Sequence, residues 1–338
     1  MRECTLADRP NWNEFVRSHP EGTFFHLAEW QDVLREAFGH EPRYLLAERD
    51  GVVHGVLPLA FVSSVLFGRA LISTPFCVYG GIVCDDADVH RALTEHACAL
   101  ARHLRVDYME LRNRRRQHPE WPVKDLYVTF RKSISADAEA NMAAIPRKQR
   151  AMVRKGIQKG LRSRPDAHTR DHYALYSESL RNLGTPVFAK KYLDALRRSF
   201  GDACEILTVV HEETPIASVL SFYFRDEVLP YYGGGSEAAR SFAANDFMYW
   251  EVMERARARG VRIFDYGRSK RDTGSFDFKV HWGFEPEPLH YEYYLVRAPA
   301  MPNLSPTNPR YTRAIRAWQR MPLWLTRWLG PRVAGYLG

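Results

Sequence analysis

Lys279 sits in the run Phe276-Asp277-Phe278-Lys279-Val280-His281-Trp282-Gly283-Phe284, a cation set among aromatic side chains. Burying an ammonium there costs free energy unless it meets an anion or an oxygen on which negative charge develops. The alternative is a lysine on a strand edge that snorkels to water. Upstream, Tyr231-Tyr232-Gly233-Gly234-Gly235-Ser236 lets a ligand approach the backbone closely at a strand end. Between the two lies Phe264-Asp265-Tyr266-Gly267-Arg268-Ser269. No Walker loop, H-E-x-x-H, G-x-S-x-G or EF-hand pattern occurs. The 13 histidines are dispersed, and the five cysteines (Cys4, Cys77, Cys84, Cys98, Cys204) include no C-x-x-C pair. Neither a metal site nor a disulfide framework is expected, and a reducing cytoplasm is the simplest compartment.

Charge is focused rather than spread. Of 48 Lys and Arg against 40 Asp and Glu, Arg147, Lys148, Arg150, Arg154, Lys155, Lys159, Arg162 and Arg164 fall in residues 140–165, which hold no acid. Arg310, Arg313, Arg316, Arg320, Arg327 and Arg332 fall in residues 301–338, again with no acid. Each segment invites an anionic partner: a phosphate-bearing substrate, RNA or an acidic membrane surface. Arg147, Arg150 and Arg154 are candidate phosphate contacts on this ground. A solvated helix face is the alternative.

The elements that must position these residues follow a repeated order. At 338 residues the chain has room for about two domains. Helical spacing over 11–39 gives way to β-like runs at 43–48 and 52–61 about the Asp50-Gly51 turn, then 66–74, a helix at 88–104 and a strand at 107–112. The second half expects helices at 136–161, 171–183 and 189–200, strands at 205–210, 216–224 and 228–233, a helix at 245–259 and a strand at 262–266. Two copies of helix, three antiparallel strands, helix and strand make a tandem α+β architecture of mixed α/β layers, not a doubly wound sheet.

Tyr231-Tyr232-Gly233, the 245–259 helix with Asn245 and Tyr249-Trp250-Glu251, the Asp265 to Ser269 run, and Phe278-Lys279 before Trp282-Gly283 resemble the C-terminal signature of the Fem-type (FemAB-like) aminoacyl or peptidyl transferases. The resemblance covers most of residues 10–298. Phe24 to Trp30 and Pro75-Phe76-Cys77-Val78-Tyr79-Gly80-Gly81 further resemble the subgroup associated with PEP-CTERM/exosortase exopolysaccharide loci. The resemblance implies tandem GNAT-like domains, at 1–130 and 131–298 with a Pro-rich linker and tail at 299–338. It also implies amide formation on an amine of a cell-envelope or exopolysaccharide precursor. Lys279 would then stabilise the oxyanion, Phe278 would shape the pocket, and Arg268 would contact phosphate. Tyr231, Tyr232, Gly233, Asn245, Tyr249, Ser269 and Trp282 would line the substrate site. Asp265 would either hold the attacking amine or cap the following loop. Tyr79 and Gly80 belong to a first repeat without the Phe-Lys motif, expected to be a scaffold that helps bind the acceptor.

Two departures bear on the donor. No pair of long heptad helices lies between Arg131 and Gly201, which weighs against an aminoacyl-tRNA. The 240–245 loop lacks both glycines of R-x-x-G-x-G/A, and Asp85, Asp86 and Asp88 stand at the same junction of the first repeat, which weighs against acyl-CoA. The donor stays open between the two, and no tightly bound cofactor is expected.

Pro299, Pro302, Pro306 and Pro309 mark a linker before a tail in which Ile315, Trp318, Leu323, Trp324, Leu325, Trp328 and Leu329 alternate with arginines. Such a tail either lies on an anionic leaflet or docks its tryptophans on the second domain. A cytoplasmic protein, peripheral to the inner membrane in the first case, is the expectation; no signal peptide or membrane-spanning run is seen. The rival readings are an acyl-CoA-dependent N-acyltransferase and, from another class, a non-catalytic RNA- or membrane-binding protein.

Overall fold

A computed structural model describes residues 1–64, 68–302 and 312–336. The chain divides into two units, one built on Met1–Tyr127 and the other on Val128–Glu287. Among the described residues, each contains an eight-stranded mixed sheet.

In the first unit, Glu41–Arg49, Val52–Ser64 and Gly68–Ser73 are antiparallel neighbours. The turn between the first two has positive φ at both Asp50 (54°) and Gly51 (79°), the pairing that matches strand twist in a two-residue hairpin. Helix Ala87–His103 then crosses over, and Tyr108–Asn113 returns parallel to Gly68–Ser73. The helix packs Val89, Leu93, Ala97 and Ala101 on Leu45, Leu57, Leu71 and Met109. These side chains recur at four-residue spacing, one stripe of a 3.6-residue helix. Gly55 is needed beneath it, because a Cβ there would come within 2.7 Å of Val89.

The second unit repeats the order. Cys204–His211, Thr214–Phe224 and Glu227–Gly235 are antiparallel, helix Ala244–Ala258 crosses over, and Ile263–Asp265 is parallel to Glu227–Gly235. The tandem arrangement expected from the order of elements is therefore present.

Three boundaries differ from the sequence reading. The single helix expected at 136–161 is two, Ala138–Ala144 and Arg147–Gln158, because Pro146 pushes Ile145 into an extended conformation (ψ 129°). The strand His290–Leu295 does not join the second unit: it pairs antiparallel with Tyr108–Asn113, while Tyr127–Ser133, next in the chain after the first repeat, pairs with Ile263–Asp265. The helices Thr312–Arg320 and Leu323–Ala334 belong to the second unit rather than forming a separate tail. Most of the expected linker, residues 303–311, lies outside the described residues. Among the described residues, no helix is long and apolar enough to cross a membrane.

Candidate active site

Parallel pairing between Glu227–Gly235 and Ile263–Asp265 lasts for Glu227↔Ile263 and Val228↔Phe264 only. Beyond it the strands part, since Glu227–Gly235 runs on against Thr214–Phe224 while the other chain turns at Tyr266-Gly267-Arg268. Parted strands expose main-chain donors and acceptors that another group can take up.

The turn is held from two sides. Asp265, fully buried, accepts from the Gly267 N–H (2.7 Å) and the Thr129 hydroxyl (3.2 Å). Arg131 reaches it at 3.5 Å and also pairs with Glu227. From the other side Lys279 Nζ donates to the carbonyls of Tyr266 (2.7 Å), Gly267 (2.9 Å) and Arg268 (3.2 Å). An ammonium has three donors, so all are committed. The geometry of Asp265 is that of the loop cap, one of the two alternatives the sequence left open.

Lys279 is not on a strand. It lies in the last turn of helix Gly274–His281, which Thr273 caps by accepting the Phe276 N–H. The helix stops at Gly283 (φ 77°), with Phe284 N–H returning to the Lys279 carbonyl. The strand-edge alternative is thereby corrected, and the cation meets carbonyl dipoles in place of an anion. Burial pushes Lys279 down to about 7, against the pull of Asp265. The three carbonyls also favour its charged form.

Around this clamp stands an aromatic wall. Tyr249 packs against Tyr266 (4.9 Å between centroids), Phe278 (5.5 Å) and Trp282 (6.4 Å). Trp282 is fully buried and donates its indole N–H to Asp246 (2.9 Å). Gly233 sits beside the Tyr249 hydroxyl, 3.2 Å from where a Cβ would be. Asn245 approaches Gly235, and Ser269 is buried on a two-residue strand. The structure thus brings Gly233, Asn245, Tyr249, Asp265, Arg268, Ser269, Phe278, Lys279 and Trp282 into one neighbourhood of the second unit.

Other expected residues lie elsewhere. The Tyr232 hydroxyl is 2.8 Å from that of Tyr192, in a cluster with Tyr176 and Phe188, and Tyr231 packs on Phe222. Arg147, Arg150 and Arg154 line one open groove with Ala151 and Gln158 on helix Arg147–Gln158, whose opposite face buries Gln149, Val153 and Gly156. Tyr79 and Gly80 are in the first unit: Tyr79 is buried against Phe25, and Gly80 donates to the Arg112 carbonyl.

Sequence reasoning missed Asp246 and Tyr266. Burial raises the Asp246 carboxyl above the ordinary range, while the Trp282 N–H partly offsets this. The only signal was its place in the first turn of the helix that follows the glycine triplet. That helix starts unaided: Ala243 takes a left-handed conformation (φ 54°, ψ 36°) and no side chain caps it.

Residues 147–280 match the family model described as an acetyltransferase (GNAT) domain. No curated protein matches the chain in sequence. Among solved structures, FemX superposes with a TM-score of 0.70 at 15% identity, covering 93% of this chain and 100% of its own. The C-terminal domain of a candidate lysylphosphatidylglycerol synthetase from Agrobacterium fabrum gives 0.57 at 11% identity, covering 86% and 92%. A tandem GNAT protein from the clavulanic acid biosynthesis pathway gives 0.54 at 14% identity, covering 89% and 98%. The non-catalytic alternative gives way to this combination of domain match and fold. The protein is an acyltransferase by its GNAT domain at residues 147–280, and its two units share the tandem GNAT-like fold seen in FemX.

Proposed function

We propose that the protein forms an amide by moving an acyl or aminoacyl group onto an amino group of a cell-envelope or exopolysaccharide precursor. The observation that carries this reading is the parting of Glu227–Gly235 from Ile263–Asp265 above a turn fixed by Lys279 and walled by Tyr249, Phe278 and Trp282. In the reaction the amine nitrogen bonds to the donor carbonyl carbon, the donor ester or thioester bond breaks, and the amine sheds a proton. Asp246 is the carboxylate suited to take that proton. Burial raises its pKa from the ordinary carboxylate value and one oxygen is fixed by Trp282, whereas Asp265 is committed to Thr129, Arg131 and Gly267. Lys279 fixes the turn that borders the reacting carbonyl, and its route to the oxyanion is exchange of one carbonyl partner for the developing charge. The names of two structural relatives, FemX and a synthetase of lysylphosphatidylglycerol, an aminoacylated lipid, support an envelope or lipid-linked acceptor.

A second reading of the donor is favoured by one observation. The uncapped start of helix Ala244–Ala258, with Ala243 left-handed where a glycine would be at ease, leaves donors for a pyrophosphate such as that of acyl-CoA. Aminoacyl-tRNA is favoured instead by the arginine groove of helix Arg147–Gln158. Thermal-shift measurements with acetyl-CoA, longer acyl-CoAs, aminoacyl-tRNA and UDP-linked amino sugars separate the two. A CoA ester whose stabilising effect is abolished by free CoA selects acyl-CoA; stabilisation by charged tRNA without a CoA response selects the tRNA donor. Mass spectrometry of the acceptor must show a new amide, and its absence with every donor overturns the proposal.

A further inference from the structure

The tail helices of the second unit settle which of their side chains do the docking. Leu323–Ala334 turns Thr326, Gly330 and Ala334 inward, all buried at four-residue spacing. Gly330 lies so close to Val187 that a Cβ would come within 2.8 Å of its carbonyl oxygen. Arg327 ties the helix to the Ser177 hydroxyl (2.9 Å) and stacks over Tyr173, both on helix Arg170–Leu183. The preceding helix is tied to the same one, with Gln319 donating to the Asn182 carbonyl, and just beyond it the Met321 carbonyl accepts from Arg181. Small residues thus fix the rotation of the last helix, and its tryptophans have no freedom to turn inward.

Trp324 and Trp328, one helical turn apart, are consequently 69% and 57% exposed. Aromatic rings of this size normally contribute buried area, so two held outward on one edge need an explanation. Leu183, at the end of the helix that supports them, is 66% exposed as well. Arg332 stacks on the Trp328 ring at 4.1 Å, Arg313, Arg316 and Arg320 on the preceding helix are exposed, and residues 301–338 contain no acid.

We propose that this surface is a membrane-docking face that takes an anionic phospholipid leaflet. Indole rings partition to the boundary between head groups and acyl chains, and arginines beside them pair with lipid phosphates. A second copy of the same face is a poor occupant because arginine would meet arginine. A duplex nucleic acid would use the arginines but not two outward tryptophans; a single strand could stack bases on them, and the test below separates it from a leaflet. The proposal stands independently of which group the enzyme transfers.

The test is co-sedimentation of the full-length protein with vesicles of phosphatidylcholine alone and of phosphatidylcholine mixed with phosphatidylglycerol, alongside tryptophan emission spectra. Binding is expected with the anionic vesicles only, with a blue shift in emission and weakening by added salt. The Trp324→Ala/Trp328→Ala double variant, altered only at exposed positions, is expected to lose about tenfold or more in vesicle affinity. The double variant's transfer to a water-soluble amine acceptor should stay unchanged, and that readout separates failure of this proposal from failure of the proposed reaction. No binding to anionic vesicles, or binding indifferent to the double substitution, overturns the proposal. So does tryptophan-dependent retention of single-stranded RNA in the absence of vesicle binding.

Discussion

The two repeats share a frame and finish it differently. In the first, the crossover helix Ala87–His103 begins at Asp86, whose carboxylate accepts the Val89 N–H (2.8 Å), with Asp88 in its first turn. In the second, Ala244–Ala258 begins at a left-handed alanine with no side-chain cap, although Asp246 stands in its first turn as Asp88 does in the other. The strands that follow also contrast. Tyr108–Asn113 carries a buried Glu110–Arg112 pair (2.8 Å), closed by the Tyr293 hydroxyl on Glu110 and the Cys77 carbonyl on Arg112. After Ile263–Asp265, the balancing charge comes from a separate helix, through Lys279. The first repeat's buried polar pair is closed by neighbouring side-chain and main-chain groups, whereas the second ends with a helix start without a side-chain cap and a strand edge parted from its neighbour. Fold alone therefore does not make a site.

The asymmetry can be broken most severely at the clamp. Lys279→Met strands three buried carbonyls, which is expected to cost about 3 kcal/mol in urea denaturation and to take amide transfer to background. A variant that kept both would mean the turn needs no cation. The same residue gives the asymmetry a pH signature. Because burial lowers its pKa to about 7, the unfolded chain binds a proton that the folded one has released between there and the free lysine value of about 10.4. The contribution of Lys279 to stability therefore rises with pH across that window, and Lys279→Met should flatten the slope of denaturation midpoints against pH.

Converting one repeat into the other sharpens the contrast. Ala243→Asp puts a carboxylate at the second helix start, as Asp86 does at the first, and should lower affinity for a CoA ester by about tenfold. Unchanged affinity in calorimetry would move the donor away from that helix start. The smallest effect is expected from the reverse edit: Asp86→Ala should cost about 1 kcal/mol by chemical denaturation and leave transfer intact. Loss of transfer there would assign the first repeat more than a supporting part.

Much of this was legible in the chain. The order of elements in both repeats followed from periodicity and turn residues, and the Asp50-Gly51 hairpin from its dipeptide. Lys279 stood out as a cation among aromatics, and the strand edge of its alternative reading is a helix in the structure. Phe276, Phe278, Val280 and Trp282 alternate with Asp277, Lys279 and His281, a period of two that suggests a strand. Thr273 at one end and Gly283 at the other override that pattern and close a helix. The partners of Lys279 were illegible because they are main-chain oxygens, which leave no mark in side-chain identities. Asp246 was passed over for a related reason: a helix-start acid is ordinary, and only the approach of Trp282, 36 residues onward, sets it apart.

Exchange of the closing strands has a consequence for how the protein is made. Tyr127–Ser133 follows the first repeat yet completes the sheet of the second, and His290–Leu295 follows the second yet completes the sheet of the first. A nascent chain that has just finished its first repeat still lacks the strand for Tyr108–Asn113, and leaves that edge unpaired until His290–Leu295 is synthesised. Partners such as Met109 and Tyr294 are separated by more than half the sequence, so loop closure is slow and the waiting edge is a surface on which other chains can pair. The pair of units is one folding task, and a ribosome that stalls midway releases a fragment with an open sheet.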